Sequence, residues 1–482
     1  MSASKIDTAV KSLDKEGFTL AQRAIPFEGG KIVILYVQHL VDRKSLSELV
    51  IRPLVHYFSR RVPGLTSVGA REVMENILYV DDCHLESDEN KMRDSILEGV
   101  AVVLLSWDED YIIVNVKQVM QRSISDPQIQ YTLRGPRDCF VESLTTNLNL
   151  IRYRVKDPKL RIKHFKVGRR SKTDVAVFYI EDIANEKAVR LMEARIKAID
   201  VDSIGESGEL QVFLQNSKWS LFPQTGLVER SDMACHLLTE GKVLVLVEGS
   251  GIALSAPRIF AEFFHSCDDR YDNVYFGASM RALRYLSLIL ALAASSFYVG
   301  ITAFHIDALP SKYALDLARM RARVPFPPII GALMMEFIVE LLREALLRVP
   351  KQIGSAVGIV STIVIGQAAT AAGIFSPLLL ILASAALLAS FVIPDFSLVN
   401  PFRVVKILAL LATGLFGFYG LILCLSLVLI RLASLESFGV PYLSPLAPFN
   451  WYDFVRSLAF NISFSPMRHK YLRDRDKKRE KG

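Results

Sequence analysis

Residues 407–430 read ILALLATGLFGFYGLILCLSLVLI, twenty-four consecutive positions without a charged side chain. A helix of that length extends about 36 Å, which exceeds the hydrocarbon thickness of a bilayer. Tyr285–Phe304 is a second uncharged run of twenty residues, and Asp395 is the only charge between Ile353 and Phe402. Residues 1–280, in contrast, carry charges every few positions. The sequence therefore predicts a soluble N-terminal portion followed by an all-α, multi-pass membrane domain.

The two ends of the chain predict its orientation. The first fifteen residues are polar and contain no signal peptide, so we expect the soluble portion to stay in the cytoplasm. Met467–Gly482 carries eight Lys/Arg against three Asp/Glu. The positive-inside rule then favours a cytoplasmic C-terminus, either simply solvated or held against anionic membrane lipid. The five cysteines form no Cys-x-x-Cys pair, which suits a reducing compartment.

The soluble portion contains an internal repeat. Lys31–Asp42 (KIVILYVQHLVD) resembles Asp174–Asn185 (DVAVFYIEDIAN), and Leu97–Leu105 (LEGVAVVLL) resembles Thr239–Val247 (TEGKVLVLV). The two pairs have nearly the same offset, and each apolar run is typical of a strand buried on both faces. We therefore predict a duplicated α/β unit. The predicted regions are an N-terminal segment 1–20, α/β subdomains 21–150 and 151–275, a membrane domain 280–440 and a basic cytoplasmic tail 441–482.

Between the repeats lies a distinctive segment, RGPRDCFVESLTTNLNLIRYRVKDP, at residues 134–158. Pro136 can begin a helix and Asp157-Pro158 can end one. Within it, Phe140, Leu144, Leu148 and Ile151 fall on one helical face. We take Arg134, Gly135, Pro136 and Arg137 as candidates for linking the subdomains or for assembly, with anion binding by the two arginines as an alternative. The basic run at 163–172 lacks interleaved aromatic residues, so we expect a solvated face or subunit contact, with no nucleic-acid partner.

Sequence motifs for catalysis are missing. The chain has no Walker loop, Gly-x-Gly-x-x-Gly, His-Glu-x-x-His or Gly-x-Ser-x-Gly, and its eight histidines are dispersed. We therefore expect no enzyme activity, no cofactor and no metal.

Five apolar segments are predicted in the membrane half, at 283–304, 328–347, 353–374, 376–394 and 404–431. In the second, Glu336, Glu340, Glu344 and Arg348 recur every four residues and share one helical face. Charges facing lipid are costly, so this helix should lie in the interface, face a bundle interior or line water. Four crossings, with 328–347 interfacial or partly buried, bring both termini to one side, but they leave four basic residues between 312 and 323 outside. Six crossings are the alternative if 404–431, or the stretch before Pro441, folds back.

The third segment, 353–374, is rich in small and hydroxyl residues. Close helix packing and an ion path are both compatible with this composition.

Several long motifs together resemble the A subunit of GerA-type spore germinant receptors. They are the 134–158 segment, VGRRSKTDVAVFYIEDIAN at 167–185, VPFPPIIGALMMEFIVELLREA at 324–345, AVGIVSTIVIGQAATAAGIFSP at 356–377 and SFGVPYLSPLAP at 437–448. The resemblance covers about residues 25–455. It implies a multi-pass protein of the bacterial spore inner membrane, which works with a transporter-like B subunit and a lipoprotein C subunit. It also implies a homo-oligomeric ring forming a nutrient-gated cation channel.

The resemblance also implies candidate pore residues. These are Glu336, Glu340 and Glu344 of the acidic helix, and Ser361, Thr362, Gln367 and Thr370 of the third segment. The chain departs from the family pattern at 264–272 (FHSCDDRYD) and at His305-Ile306-Asp307. The SpoVAF-type paralogue, an accessory germination channel, and a non-conducting scaffold for germination proteins remain alternatives. A secondary transporter would predict inverted repeats, which we do not detect.

Overall fold

The computed structural model describes most of the chain. The described residues are 20–27, 30–37, 41–59, 68–88, 91–92, 95–96, 99–116, 130, 135–136, 138–217, 219–271, 273–349, 366–458, 468 and 472. The predicted N-terminal segment and most of the basic tail after Leu458 lie outside it.

A five-stranded antiparallel sheet forms the first soluble unit. Its strands are β1 (Leu20–Phe27), β2 (Gly30–Val37), β3 (Cys83–Glu86), β4 (Ala101–Leu105) and β5 (Tyr111–Val114), side by side in the order β1-β2-β4-β5-β3. Helical residues of Leu46–Ile51, α1 (Arg52–Ser59) and α2 (Ala70–Asn76) cover one face. Along β4, Val103 packs into that face and Val102 into the opposite one. Both faces of the sheet are therefore buried.

The second soluble unit has the same architecture. Its strands are β6 (Leu160–Val167), β7 (Thr173–Ile180), β8 (Gly226–Val228), β9 (Val243–Val247) and β10 (Ala253–Ala256), in the antiparallel order β6-β7-β9-β10-β8. Its helices are α3 (Leu144–Arg154), α4 (Glu186–Lys197), α5 (Ser207–Leu214) and α6 (Ser231–Thr239). Helices α3 and α6 pack on one face, and α4 and α5 on the other.

The repeat landmarks found in the sequence are equivalent strands. The starts of β2 and β7, Gly30 and Thr173, lie 143 positions apart, and those of β4 and β9, Ala101 and Val243, lie 142 apart. Each pair occupies the same place in its own sheet. The observed topology agrees with a duplicated α/β unit.

The helix of the linking segment begins later than predicted. We expected it to start near Pro136, but α3 starts at Leu144, where the Ser143 side chain accepts a hydrogen bond from the Thr146 amide and caps the helix. Before that cap, Cys139 forms a β-bridge with Arg230. A strand-like contact thus replaces the predicted first two turns. The predicted apolar stripe from Phe140 to Ile151 is nevertheless buried in one cluster.

The C-terminal half is a bundle of helices. They are α7 (Val274–Ala303), α8 (Ser311–Arg321), α9 (Pro328–Arg348), α10 (Pro377–Phe391) and α11 (Phe396–Ser434), with a further helical turn at residues 366–371. Within the described part, α7 and α11 are long and apolar enough to cross a membrane, and α10 is a shorter apolar helix. Residues 350–365, which include most of the predicted 353–374 segment, lie outside the described part.

Helix α11 bends sharply at Gly417. This residue has φ 64° and ψ −147°, a combination that essentially only glycine adopts. A Cβ atom on Gly420 would lie 2.1 Å from the carbonyl oxygen of Ala412, so the chain turns back on itself. Helix α11 therefore consists of two arms, 396–416 and 418–434.

The first arm of α11 starts beside the second soluble unit, and the second arm ends beside it. Phe402 of the first arm lies 6.1 Å from Phe260, measured between ring centroids. After the second arm, the Tyr442 amide donates to Leu435, and the Phe260 amide donates to the Tyr442 carbonyl. In a straight helix, Phe402 and Leu432 would be about 45 Å apart, whereas here they share one apolar cluster. We call this end of the bundle, around Phe260–Phe264, the junction end.

The opposite end, which we call the far end, lies where α7 finishes. A Cβ atom on Gly417 would lie 3.1 Å from Phe304, directly after α7. Helix α9 begins here, since a Cβ atom on Gly414 would meet Ile329. Helix α10 begins here too, since the Ser376 hydroxyl is 2.8 Å from that of Tyr298. Both helices then run toward the junction end.

The chain returns to the soluble unit after α11. The short strands β11 (Glu436–Ser437) and β12 (Val440–Pro441) pair, and helix α12 (Trp451–Leu458) follows. The Ser437 hydroxyl donates to the Gln224 carbonyl and accepts a hydrogen bond from the Arg258 amide. Residues 436–442, near the predicted border of the tail at 441, are therefore packed against the second soluble unit.

Candidate functional site: a charge cluster inside the helical bundle

Glu336 lies in the interior of the bundle. It is on α9, two turns from the far end, and is 6% exposed. Its Oε1 atom lies 2.7 Å from the Lys406 Nζ of α11 and accepts a 2.6 Å hydrogen bond from the Ser295 hydroxyl of α7. A buried carboxylate requires such partners because desolvation is otherwise costly. This one carboxylate ties three helices together.

Glu340, one turn closer to the junction end, forms the second half of the cluster. Its Oε1 accepts a hydrogen bond of 3.0 Å from Arg343, and its Oε2 lies 3.6 Å from the Arg403 guanidinium. Arg343 also reaches α10, where it lies 3.5 Å from the Ser390 hydroxyl and 5.9 Å from the centre of the Phe391 ring. We call Glu336, Glu340, Arg343, Arg403 and Lys406 the charge cluster.

Positive charge exceeds negative charge in the charge cluster. Its three cationic side chains face two carboxylates, for a net charge of +1. The Nε atoms of Arg343 and Arg403 are inaccessible to solvent and have no hydrogen-bond partner in the described part. A cavity of about 30 Å³ lies among these side chains and is otherwise lined mainly by apolar residues such as Leu292 and Phe402. The site is therefore a small cationic pocket.

The other candidate pore residues that the structure describes lie outside the charge cluster. Glu344 is exposed and pairs with Arg348 on its own helix, at 2.6 Å. Gln367 is exposed, and the Thr370 hydroxyl donates to the Gly366 carbonyl one turn back. Ser361 and Thr362 lie outside the described residues. Of the described candidates, the structure thus brings together Glu336 and Glu340, but not Glu344, Gln367 or Thr370.

Sequence reasoning missed the three cations of the charge cluster. Arg343 is a charged residue in an apolar helix, but so is its neighbour Glu344, and the sequence does not show which of the two faces the bundle interior. Arg403 and Lys406 directly precede the 24-residue apolar run, where basic residues usually mark a membrane border. Their spacing of three residues, which places both on one face of a helix, is the signal that could have identified them.

Of the linking candidates, Gly135 occupies a constrained position. Its φ is 118°, and a Cβ atom there would lie 2.9 Å from the Tyr271 ring and 3.0 Å from the Arg230 guanidinium. Pro136 follows it and is partly buried, whereas Arg134 and Arg137 lie outside the described residues. Only a glycine accommodates both this backbone and this approach.

The side chains beneath Gly135 form a buried ion pair. Arg230, which is fully buried, donates hydrogen bonds to both carboxylate oxygens of Asp232, at 2.9 and 2.8 Å, and the Tyr271 hydroxyl donates to the same carboxylate. Burial raises the pKa of Asp232, but its hydrogen bonds and the charge of Arg230 outweigh that effect and hold the pKa below its ordinary value. Tyr271 belongs to the 264–272 segment, so this pair connects the linking segment to the base of the bundle.

The same segment attaches α7 to the soluble unit. Asp269 is buried and accepts hydrogen bonds from Arg281 at 3.1 Å and Arg284 at 2.6 Å, both in the first three turns of α7. At the other side of the junction end, Arg258 lies 3.4 Å from Asp395, which caps the start of α11. Ion pairs therefore join the soluble unit to the starts of α7 and α11.

Among the described residues, no group of three or more His, Cys, Asp or Glu side chains is arranged to hold a metal ion.

These features define a two-part protein, in which a duplicated soluble α/β unit is joined to an apolar helical bundle with a charged interior. The profile of the family described as "Bacillus/Clostridium GerA spore germination protein" matches residues 8–471. The chain belongs to this family.

Individual relatives extend over most of the chain. It is 36% identical over 419 residues to spore germination protein KA of Bacillus subtilis (strain 168), covering 87% of this chain and 76% of that protein. It is 34% identical over 416 residues to the uncharacterized membrane protein YfkQ of the same organism, covering 86% and 80%. The crystal structure of the N-terminal domain of the A subunit of the Bacillus megaterium spore germinant receptor GerK3 aligns with 52% of this chain and 93% of that domain, at 24% identity and a TM-score of 0.40.

Proposed function

We propose that this chain is the A subunit of a spore germinant receptor whose helical bundle crosses the spore inner membrane and, in a homo-oligomeric ring, lines a nutrient-gated cation path. Family membership supports the role in germination, and the similarity to a protein named as a membrane protein supports the location. The single observation that carries the channel proposal is the acidic face of α9, which places Glu336 and Glu340 inside the bundle and Glu344 on its surface, because ionisable groups at the depth of the hydrocarbon core mark functional sites. The role is non-enzymatic, and B and C subunits are its expected partners.

Six crossings agree better with the geometry than four. Helices α7, α9, α10 and the two arms of α11 each run between the junction end and the far end. Helix α9 finishes toward the junction end, whereas Gly366 lies near Leu380, close to the far-end start of α10. Together with the even number of crossings that the sequence predicts for termini on one side, these five passages favour six crossings over four. This is the alternative that the sequence predicted if 404–431 folds back.

Exposed aromatic residues support the position of the membrane border. Trp451 of α12 is 67% exposed and Trp219 is 95% exposed. Both lie at the junction end, since the Phe222 ring packs on Phe402 and α12 contacts α7. Tryptophan concentrates where headgroups meet acyl chains. We infer that the junction end lies at the cytoplasmic, core-side interface.

Glu344 and Gln367 are the pore candidates most open to a path shared between subunits, because both are exposed on the bundle. Ser361, Thr362 and Thr370 remain candidates on the family resemblance. Glu336 and Glu340 would lie inside the bundle, next to the path, and would contribute negative charge to the bundle interior. The SpoVAF-type accessory channel and a non-conducting scaffold are the competing functions.

Cation flux into proteoliposomes that contain the chain with its B and C partners and nutrient tests the proposal. We expect Glu344→Gln to reduce flux several-fold, because it removes a negative charge from the path but breaks only an exposed ion pair. Glu181→Gln, which removes an equally exposed carboxylate paired with Arg161 on the soluble unit, is the matched control and should leave flux unchanged. Absence of flux in the wild-type assembly would favour the scaffold, whereas equal flux in both variants would show that Glu344 does not line the path.

A further inference from the structure

We propose that the charge cluster binds a small monovalent anion of the size of chloride. The inference concerns the same helices as the proposed channel but does not depend on conduction, since binding is measured without flux.

The charge of the cluster favours an anion. Three cations and two carboxylates leave one positive charge uncompensated. The side chains of Lys406 and Arg343 are each 13% exposed, and that of Arg403 is 33% exposed. An uncompensated charge removed from water is costly, and a bound counter-ion is the direct way to offset that cost. In the described part, the nearest carboxylate beyond the cluster on these helices, Glu344, is already paired with Arg348 on the exposed surface.

The charge cluster also contains buried hydrogen-bond donors that have no acceptor in the described part. The Nε–H groups of Arg343 and Arg403 are buried without an acceptor in the described part, and buried donors in proteins are nearly always satisfied. Lys406 uses one of its three ammonium hydrogens on Glu336. These donors belong to side chains that line the same cavity. An anion held there would accept hydrogen bonds from up to three cationic groups.

The cavity among these side chains has the size of a small ion. A cavity of about 30 Å³ has room for one or two water molecules or one halide ion. An amino acid or a sugar would not fit, and a multivalent phosphate would leave excess negative charge. The cluster joins α7, α9, α10 and the first arm of α11, so an ion bound within it would stabilise the packing of the bundle.

Thermal unfolding of the full-length protein in lipid nanodiscs tests the proposal, with chloride replacing gluconate at constant ionic strength. We expect Tm to rise by a few degrees and to saturate with chloride concentration, as for a ligand that binds only the folded state. The proposal would be overturned if Tm did not rise with chloride. It would also be overturned if adding a gluconate salt without chloride raised Tm by the same amount, because a general salt effect would then explain the data.

Variants separate charge from structural damage. Arg403→Gln makes the cluster neutral while Glu340 keeps Arg343 at 3.0 Å, so we expect the chloride response to be lost. The double variant Glu340→Gln/Arg403→Gln restores the net charge of +1 and should regain the response, although it removes more charged groups. Arg348→Gln is the control, because it removes an exposed cation of α9 outside the cavity, and it should keep the full response. A response that survives in Arg403→Gln contradicts the proposed site.

Discussion

At the scale of residues, this protein relies on ionisable side chains that are buried in pairs. Glu336 and Lys406 in the bundle, Arg230 and Asp232 in the second soluble unit, and Asp269 at the base of α7 each have a charged partner in contact. Sequence patterns identified the acidic face of α9 but not its partners. Lys406 is 70 positions from Glu336, and contacts at that separation depend on how the helices pack.

The pair beneath Gly135 leads to a prediction about stability. Asp232→Asn should lower the free energy of unfolding by about 3–5 kcal/mol, because it removes the carboxylate that pairs with the fully buried Arg230. The folded pKa of Asp232 is lowered, so the stability that this group contributes is present above its unfolded pKa, about 3.9, and is lost as pH falls through the folded pKa. The variant should therefore lose less stability than the wild type on acidification to pH 3.

Thermal unfolding of the purified full chain between pH 3 and 7 measures both effects. Asp174→Asn is the matched control, because its carboxylate is half exposed and lies 4.0 Å from Lys166. It should cost less than about 1 kcal/mol. Equal losses in the two variants would mean that the Arg230 pair does not stabilise the fold.

At the scale of elements, the sequence predicted four strands, β2, β4, β7 and β9, and the apolar helices of the bundle, but not the shape of two helices. The helix of the linking segment starts at Leu144 instead of near Pro136, because the Ser143 cap determines the start. The run 407–430 is uniformly apolar, so its composition could not distinguish one long helix from a folded pair. The bend lies at Gly417, whose backbone conformation is not helical.

The bend of α11 predicts that alanine destabilises the protein much more at Gly417 than at Gly331. Gly417→Ala should destabilise the bundle by about 1–3 kcal/mol from backbone strain alone, and its Cβ would also lie 3.0 Å from the His305 ring. Gly331→Ala on α9 is the control, because its Cβ would lie 3.7 Å from Leu379, an ordinary contact, and alanine favours the helix. Thermal unfolding in nanodiscs compares them. If both alanine variants are equally stable, α11 is not bent at Gly417.

At the scale of the whole molecule, the predicted division into a duplicated soluble unit and a helical half agrees with two sheets of identical strand order followed by the bundle. The repeat was detectable because buried strands keep their apolar sequence in both copies. The arrangement of the bundle was not detectable from the sequence, because it depends on pairs such as Glu336–Lys406 and on the bend at Gly417. The basic residues of α8, between Lys312 and Arg321, lie at the far end despite the positive-inside trend, since Arg321 contacts the Thr302 carbonyl at the end of α7.

The account depends on the junction end and the far end of the bundle being on opposite sides of a membrane. Two single-cysteine additions measure this most directly, Ser311→Cys at the exposed start of α8 and Lys166→Cys on the exposed surface of β6. A membrane-impermeant maleimide is applied to right-side-out vesicles, with the wild type as the background for its own five cysteines. We predict that the cysteine at 311 reacts in intact vesicles and that the cysteine at 166 reacts only after permeabilisation. Equal reactivity of both positions in intact vesicles would contradict the account.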